Sequence, residues 1–477
     1  MQTPFIRRRT KIVATLGPAS STDAVLGRMM DAGLDLIRLN FSHGKSSDHA
    51  DVAERVRALA RERKRAVGVL ADLQGPKIRI GRFAEGKVQL EPGQRFILDA
   101  ACEVGDQTRV GLDYKELTQD VGAGDTLLLA DGFIIMTVDR VEGSEILCTV
   151  VQGGVLSNNK GVNRLGGGLS APALTDKDRE DIKTVGAIKA DYVAVSFPRC
   201  GADIDQARAL LRQTGWDAKI IAKIERAEAI EALEEILDAS DGIMVARGDL
   251  AVEMGDAAVP GLQKRMIRAA RAKRKLVITA TQMMESMIDN PVPTRAEVSD
   301  VANAVLDGTD GVMLSAESAV GKYPVETIAA MNRVCIEAEK VAEFIPEKDF
   351  EGTDFQSVEQ SIALAAVFVS AHYPLRAIAA LTESGTTALW MSRFNLNLPV
   401  YALSPNVETR RRASLFRGVY PIRFEEASTD PEVVLARAGD ELKRLGVVDA
   451  GDLVAITIGE PIGQPGGTNN LKIVRIP

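Results

Sequence analysis

Lys223, Glu225 and Asp249 are residues whose types and spacing could do chemistry together. Lys223 and Glu225 are two apart in the apolar run Ile220–Glu225, so strand periodicity directs both side chains to one face. Asp249 ends Arg247-Gly248-Asp249, directly after the run Gly242–Ala246. A glycine there lets backbone N–H groups come close to a bound anion. Two carboxylates, an ammonium and exposed amides on one rim could hold a divalent cation and a phosphorylated or carboxylated ligand. The same residues also fit a plain Lys–Glu pair and a capping aspartate.

Both runs are short, β-branched and bounded by polar residues, as strands buried on two faces are. Between them, Arg226–Ser240 carries Ile230, Leu233, Ile236 and Leu237 at helical spacing. Strand, helix, strand predicts parallel neighbours joined by a right-handed crossover. The phrase recurs along the chain. Strands are expected at Lys11–Leu16, Leu36–Leu39, Val67–Leu70, Tyr192–Val195, Leu276–Ile278 and Gly311–Leu314, so that eight precede helix-length segments. Eight such units fit a (β/α)8 TIM barrel, whose sites lie at the C-terminal strand ends; an open doubly wound sheet is the alternative.

Gly75-Pro76 interrupts the rhythm. From there short alternating runs with frequent Gly and Asp predict an inserted all-β module, a small barrel, and Gly166-Gly167-Gly168 predicts a hinge. A third unit, α/β in pattern, follows. The expected division is 1–74 with 172–346 for the catalytic barrel, 75–171 for the β module and 347–477 for the last domain. In that last domain Thr382, Ser384, Gly385, Thr386 and Thr387 precede a helix expected over Ala388–Phe394. Hydroxyls and amides at a helix start suit a phosphate, and equally an ordinary cap.

Composition narrows the possibilities. At 45% hydrophobic and 26% charged the chain reads as a soluble globular protein. A net charge of −8 argues against nucleic acid or an anionic membrane as partner. Four scattered cysteines suit a reducing cytoplasm, the start Met1–Arg9 lacks a leader's apolar core, and no run reaches membrane-span length. There is no P-loop and no nucleophile elbow, and the three histidines lack metal-ligand spacing.

With these residues in view, the chain resembles pyruvate kinases. The matching blocks are Thr10–Ser20, Arg38–Gly44, Ile220–Glu225, Asp241–Leu250, Ala280–Met283, Pro293–Glu297 and Met313–Ser315, with Asn159–Asn163 in the β module. The resemblance implies Mg2+-dependent phosphoryl transfer from phosphoenolpyruvate to ADP, giving pyruvate and ATP. Glu225 and Asp249 then correspond to the Mg2+ ligands, Lys223 to the charge stabiliser and Arg38 to the grip on the phosphoryl group. The Gly248 and Asp249 amides with Thr281 correspond to the substrate carboxylate site. Thr281 and Ser315 lie where the enolate is protonated. His43, Arg79 and Lys160 correspond to nucleotide contacts. A metal-dependent aldolase acting on pyruvate enolate is the alternative on the same barrel.

Two departures matter. Potassium-requiring members carry an acidic residue where this chain has Lys77, so K+ is expected not to be required, although Asn40, Ser42 and Asp72 match the potassium ligands. Cys200 stands where some relatives have a lysine. The last domain resembles the family's allosteric domain, with Thr382–Thr387 and Gly459–Asn470 as effector loops. This implies a sugar phosphate or AMP as effector and a homotetramer.

Overall fold

In a computed structural model, residues 8–341, 355, 357–394 and 396–477 are described. Residues 1–7 of the polar start and the expected boundary at 346/347 lie outside them. Eight parallel strands close a barrel: β1 (Lys11–Thr15), β2 (Leu36–Asn40), β3 (Gly68–Asp72), β4 (Tyr192–Val195), β5 (Lys219–Ile224), β6 (Gly242–Ala246), β7 (Leu276–Ala280) and β8 (Gly311–Leu314). Each strand neighbours the next in chain order and β8 returns to β1, which disposes of the open sheet. β1, β3, β6 and β7 are buried along their whole length, as a parallel sheet covered on both faces requires.

The chain divides into two compact units, Met1–Ala71 with Thr184–Val193 and Ala270–Pro477, and Asp72–Lys183 with Ala194–Ala269. In the first, the helix Asp23–Ala32 starts where the Thr22 side chain accepts from Val25 N and stops at Gly33, whose φ of 123° only glycine adopts easily. The register sets Thr15 beside Arg38 and Lys11 beside Gly311. A five-stranded sheet follows in the order Val419–Arg423, Val400–Ser404, Ala377–Leu381, Leu453–Gly459 and Thr468–Arg475, only the last pairing being antiparallel. Val419–Arg423 was not expected as a strand; Pro421 interrupts its pattern, and the structure accordingly puts it at the sheet edge. Ion pairs and hydrogen bonds tie this sheet's surroundings to the starts of barrel strands. Arg411 meets Asp191 at 2.8 Å, Arg393 pairs with Asp310 with both side chains 2% exposed, and Lys11 Nζ donates to Val419 O at 2.6 Å.

In the second unit, the β module is a six-stranded sheet with two short two-stranded ladders on a common core that includes Phe96, Leu98, Leu127 and Met136. Arg82–Phe83 and Val104–Gly105 were not expected, since two residues cannot display a period. The helix expected over Arg226–Ser240 is two, Ala227–Glu231 and Leu233–Ala239, broken at Ala232 with ψ of 14°.

Candidate active site

Strand β5 carries Lys223 and Glu225 follows it directly, two residues on, and residues at or just beyond the ends of β3 and β4 complete the arrangement. Lys223 Nζ lies 2.9 Å from Glu225 Oε1, 3.3 Å from Asp72 Oδ1 and 2.7 Å from the Ser196 hydroxyl. Asp72 ends β3, and Ser196 follows β4, so three barrel strands grip one ammonium. Ser196 also donates to Leu73 O at 2.7 Å, which locks the hydroxyl in place. The other Glu225 oxygen accepts from Phe197 N at 2.9 Å. Glu225 is 2% exposed. Its burial pushes the carboxyl above the ordinary glutamate value; Lys223 pulls it down, while Asp249 and Asp72 push it up by like-charge repulsion.

Asp249 stands in the first turn of the helix Arg247–Met254 rather than in a loop. Lys77 Nζ donates to its Oδ1 at 3.0 Å. The rim of this unit therefore sets the carboxylates of Asp72, Glu225 and Asp249 against the ammonium groups of Lys223 and Lys77, leaving an excess of negative charge. A divalent cation fits that excess. It would offset the like-charge repulsion that Asp249 and Asp72 exert on Glu225, and the oxygen donors suit a hard ion. In the β module, Arg79 N donates to Asp113 and its guanidinium to Asn159 O at 3.3 Å. Lys160 is exposed, and its carbonyl accepts from Ile80 N.

The other unit carries the remaining candidates. Arg38 donates to the Thr15 hydroxyl at 3.0 Å, which in turn donates to Leu314 O. Thr281 has φ of 68°, and Gln282 follows at 53°. A β-branched residue in that region is strained, and its hydroxyl donates to Ala280 O at 2.6 Å. Ser315 precedes the short helix Ala316–Ala319 without a side-chain cap bond, so it is not a cap in the usual sense. Its amide donates to Glu317 Oε2 at 2.7 Å, and Met284 N donates to Oε1 at 3.1 Å. Asn40 Oδ1 accepts from Ser42 N, and His43 is exposed, its carbonyl 3.0 Å from His49 Nε2.

At the C-terminal loop, Thr382 Oγ1 accepts from Gly385 N and the Ser384 and Thr386 hydroxyls are 2.8 Å apart. The helix runs Thr386–Ser392, two residues earlier than expected. Thr387 is accordingly buried, its hydroxyl taken by Glu359 and Thr468 at 2.8 and 2.9 Å. A cleft beside the loop is lined by Thr382, Glu383, Glu426, Gln464 and Gly466, among others. Ser196, Arg226 and Glu317 had been given no role from sequence. Apart from the bond that Glu317 accepts from Ser315 N, their importance is in contacts distant along the chain, for which a single sequence carries no signal.

Among the described residues no helix is long and apolar enough to cross a membrane. The family model for the pyruvate kinase barrel domain matches residues 7–328, and that for the pyruvate kinase alpha/beta domain matches residues 360–474. The chain is 51% identical to pyruvate kinase II of Salmonella typhimurium, covering 98% of this chain and 99% of that protein. It is also 51% identical to a pyruvate kinase of Haemophilus influenzae, over 95% and 96% of the two chains. With a pyruvate kinase of Mycobacterium tuberculosis it shares 43% over 98% of each. A TIM barrel with an inserted β module, a further α/β domain, and near full-length identity of this order establish that the chain belongs to the pyruvate kinase family.

Proposed function

We propose that the chain moves a phosphoryl group from phosphoenolpyruvate to ADP. A β-phosphate oxygen of ADP bonds to phosphorus, the bond from phosphorus to the enol oxygen breaks, and its electron pair stays on pyruvate enolate. The enolate carbon then takes a proton. The observation that carries this is the Lys223 ammonium fixed between Glu225, Asp72 and Ser196. A preorganised cation there stabilises charge on the transferring group and on the enolate without reorganising. Arg38, held by Thr15, grips the phosphoryl group. The Gly248 and Asp249 amides, together with Thr281, receive the substrate carboxylate. Thr281 and Ser315 lie where the enolate takes its proton, through water. His43, Arg79 and Lys160 contact the nucleotide. Glu225 and Asp249 would hold Mg2+, which neutralises phosphate charge when bound. No observation favours the aldolase alternative.

Asp72 already serves Lys223, and the Asn40 oxygen already accepts from Ser42, which supports a potassium-type site without an ion. Lys77 supplies a tethered positive charge beside Asp249. Pyruvate formation from phosphoenolpyruvate in Tris buffer is therefore expected to require ADP and Mg2+ and to change by no more than about twofold on adding KCl. A rate near zero that rises many-fold with KCl would reject the K+ reading; pyruvate formation indifferent to ADP would reject the kinase reading.

The division at 74/75, 171/172 and 346/347, a cytoplasmic setting and a homotetramer complete the proposal. The Thr382, Ser384, Gly385 and Thr386 loop binds the phosphate of a sugar phosphate or AMP, whereas the Thr387 hydroxyl serves the fold. Phosphoenolpyruvate affinity that stays constant across a panel of such compounds would count against it.

A further inference from the structure

We infer that Arg226 is a positioning residue that registers the nucleotide-contacting β module to the phosphoryl-transfer rim. The chain returns from the module through Gly166–Ala171, the segment whose glycines suggested a hinge. All three have left-handed φ, 83°, 77° and 87°. The segment is clasped instead of loose, and the clasps come from the stretches that follow β4, β5 and β6. After Ser196, Arg199 Nη1 donates to Ser170 O at 2.9 Å while Asp203 holds the guanidinium. After Glu225, Arg226 Nη1 donates to Leu169 O at 3.3 Å and Ala171 O at 3.4 Å, and Glu228 accepts from Gly168 N. After Asp249, the Glu253 carbonyl accepts from Gly166 N at 3.0 Å.

Arg226 is the centre of this clasp. It is 3% exposed, and its guanidinium lies 5.5 Å over the Phe197 ring. The Phe197 amide is the donor that orients Glu225. One buried side chain thus touches both the return segment and the residue that sets the Glu225 carboxylate. Glu228 fits the glycines closely, since a Cβ at Gly167 would lie 2.7 Å from its Oε2. A displacement of the module relative to Glu225 would have to break these contacts together. Misplacing a reacting group by an ångström is costly, and here the group at stake is the acceptor nucleotide.

The inference rests on the reading of Arg79 and Lys160 as nucleotide contacts, and the test separates the two. Steady-state kinetics of the full chain would be measured for R226M, R226K, E228Q and K160A, together with pyruvate formation when water replaces ADP as acceptor. R226M is expected to raise the KM for ADP by about tenfold, with the KM for phosphoenolpyruvate changed by less than about twofold. R226K should recover most of the loss, and E228Q should move the same parameter by less. K160A should also raise the KM for ADP. If K160A leaves it unchanged, the nucleotide reading and the inference fall together. If K160A raises it while R226M and E228Q do not, or raise both KM values alike, Arg226 only braces the fold and the inference is overturned. Should R226M fail to fold, R226K and E228Q decide by the same split between the two KM values.

Discussion

Lys223→Met is expected to lower kcat for pyruvate formation by about 1,000-fold, the cost of losing one preorganised charge at a reacting centre. The KM for phosphoenolpyruvate should change far less, because the ammonium acts on charge that develops during transfer. The same substitution should also be felt in stability. Glu225 and Asp72 are 2% and 1% exposed and would lose the cation between them. Removing one partner from a buried ion pair costs about 3–5 kcal/mol, so the urea midpoint should fall. Added Mg2+ should restore part of it, because an ion bound only by the folded state raises stability by mass action. A variant that keeps kcat within a factor of ten would remove Lys223 from the chemistry.

Glu225→Gln carries the second large effect. An amide keeps the shape of the carboxylate and still accepts from Phe197 N, but it presents no anion to a cation or to Lys223. The Mg2+ concentration needed for half-maximal rate is expected to rise by at least about 100-fold, since even outer-shell partners of a metal cost 10–100-fold. Asp249→Asn should act in the same direction while also freeing Lys77 from its partner. Titrations of initial rate against free Mg2+ at saturating substrates read both.

Much of this could be read from the chain because it depends on local periodicity. Lys223 and Glu225 come together because they are two apart at the end of one strand, Glu225 directly following it, and the eight strands announce themselves as buried β-branched runs. What escaped was of other kinds. Val419–Arg423 hides behind Pro421, and strands of two residues have no period to show. Thr387 looked like a loop hydroxyl until the helix proved to start at Thr386, which turns it inward to Glu359. Asp72 comes to Lys223 from β3 across the inserted module and Ser196 from just after β4, so only the lateral pairing of β3, β4 and β5 brings them into contact. Arg226 follows Glu225 directly, yet its carbonyl partners lie in the return from the β module.

The claim on which the rest depends is that Glu225 and Asp249 together hold a divalent cation beside Lys223. Its most direct test is a titration of the full chain with Mn2+, followed through the electron paramagnetic resonance signal of the free ion, for the native protein, E225Q and D249N. The account predicts that the native chain removes free Mn2+ at a tight site and that each substitution weakens binding by at least about 100-fold. Native-like Mn2+ binding by both variants would contradict it.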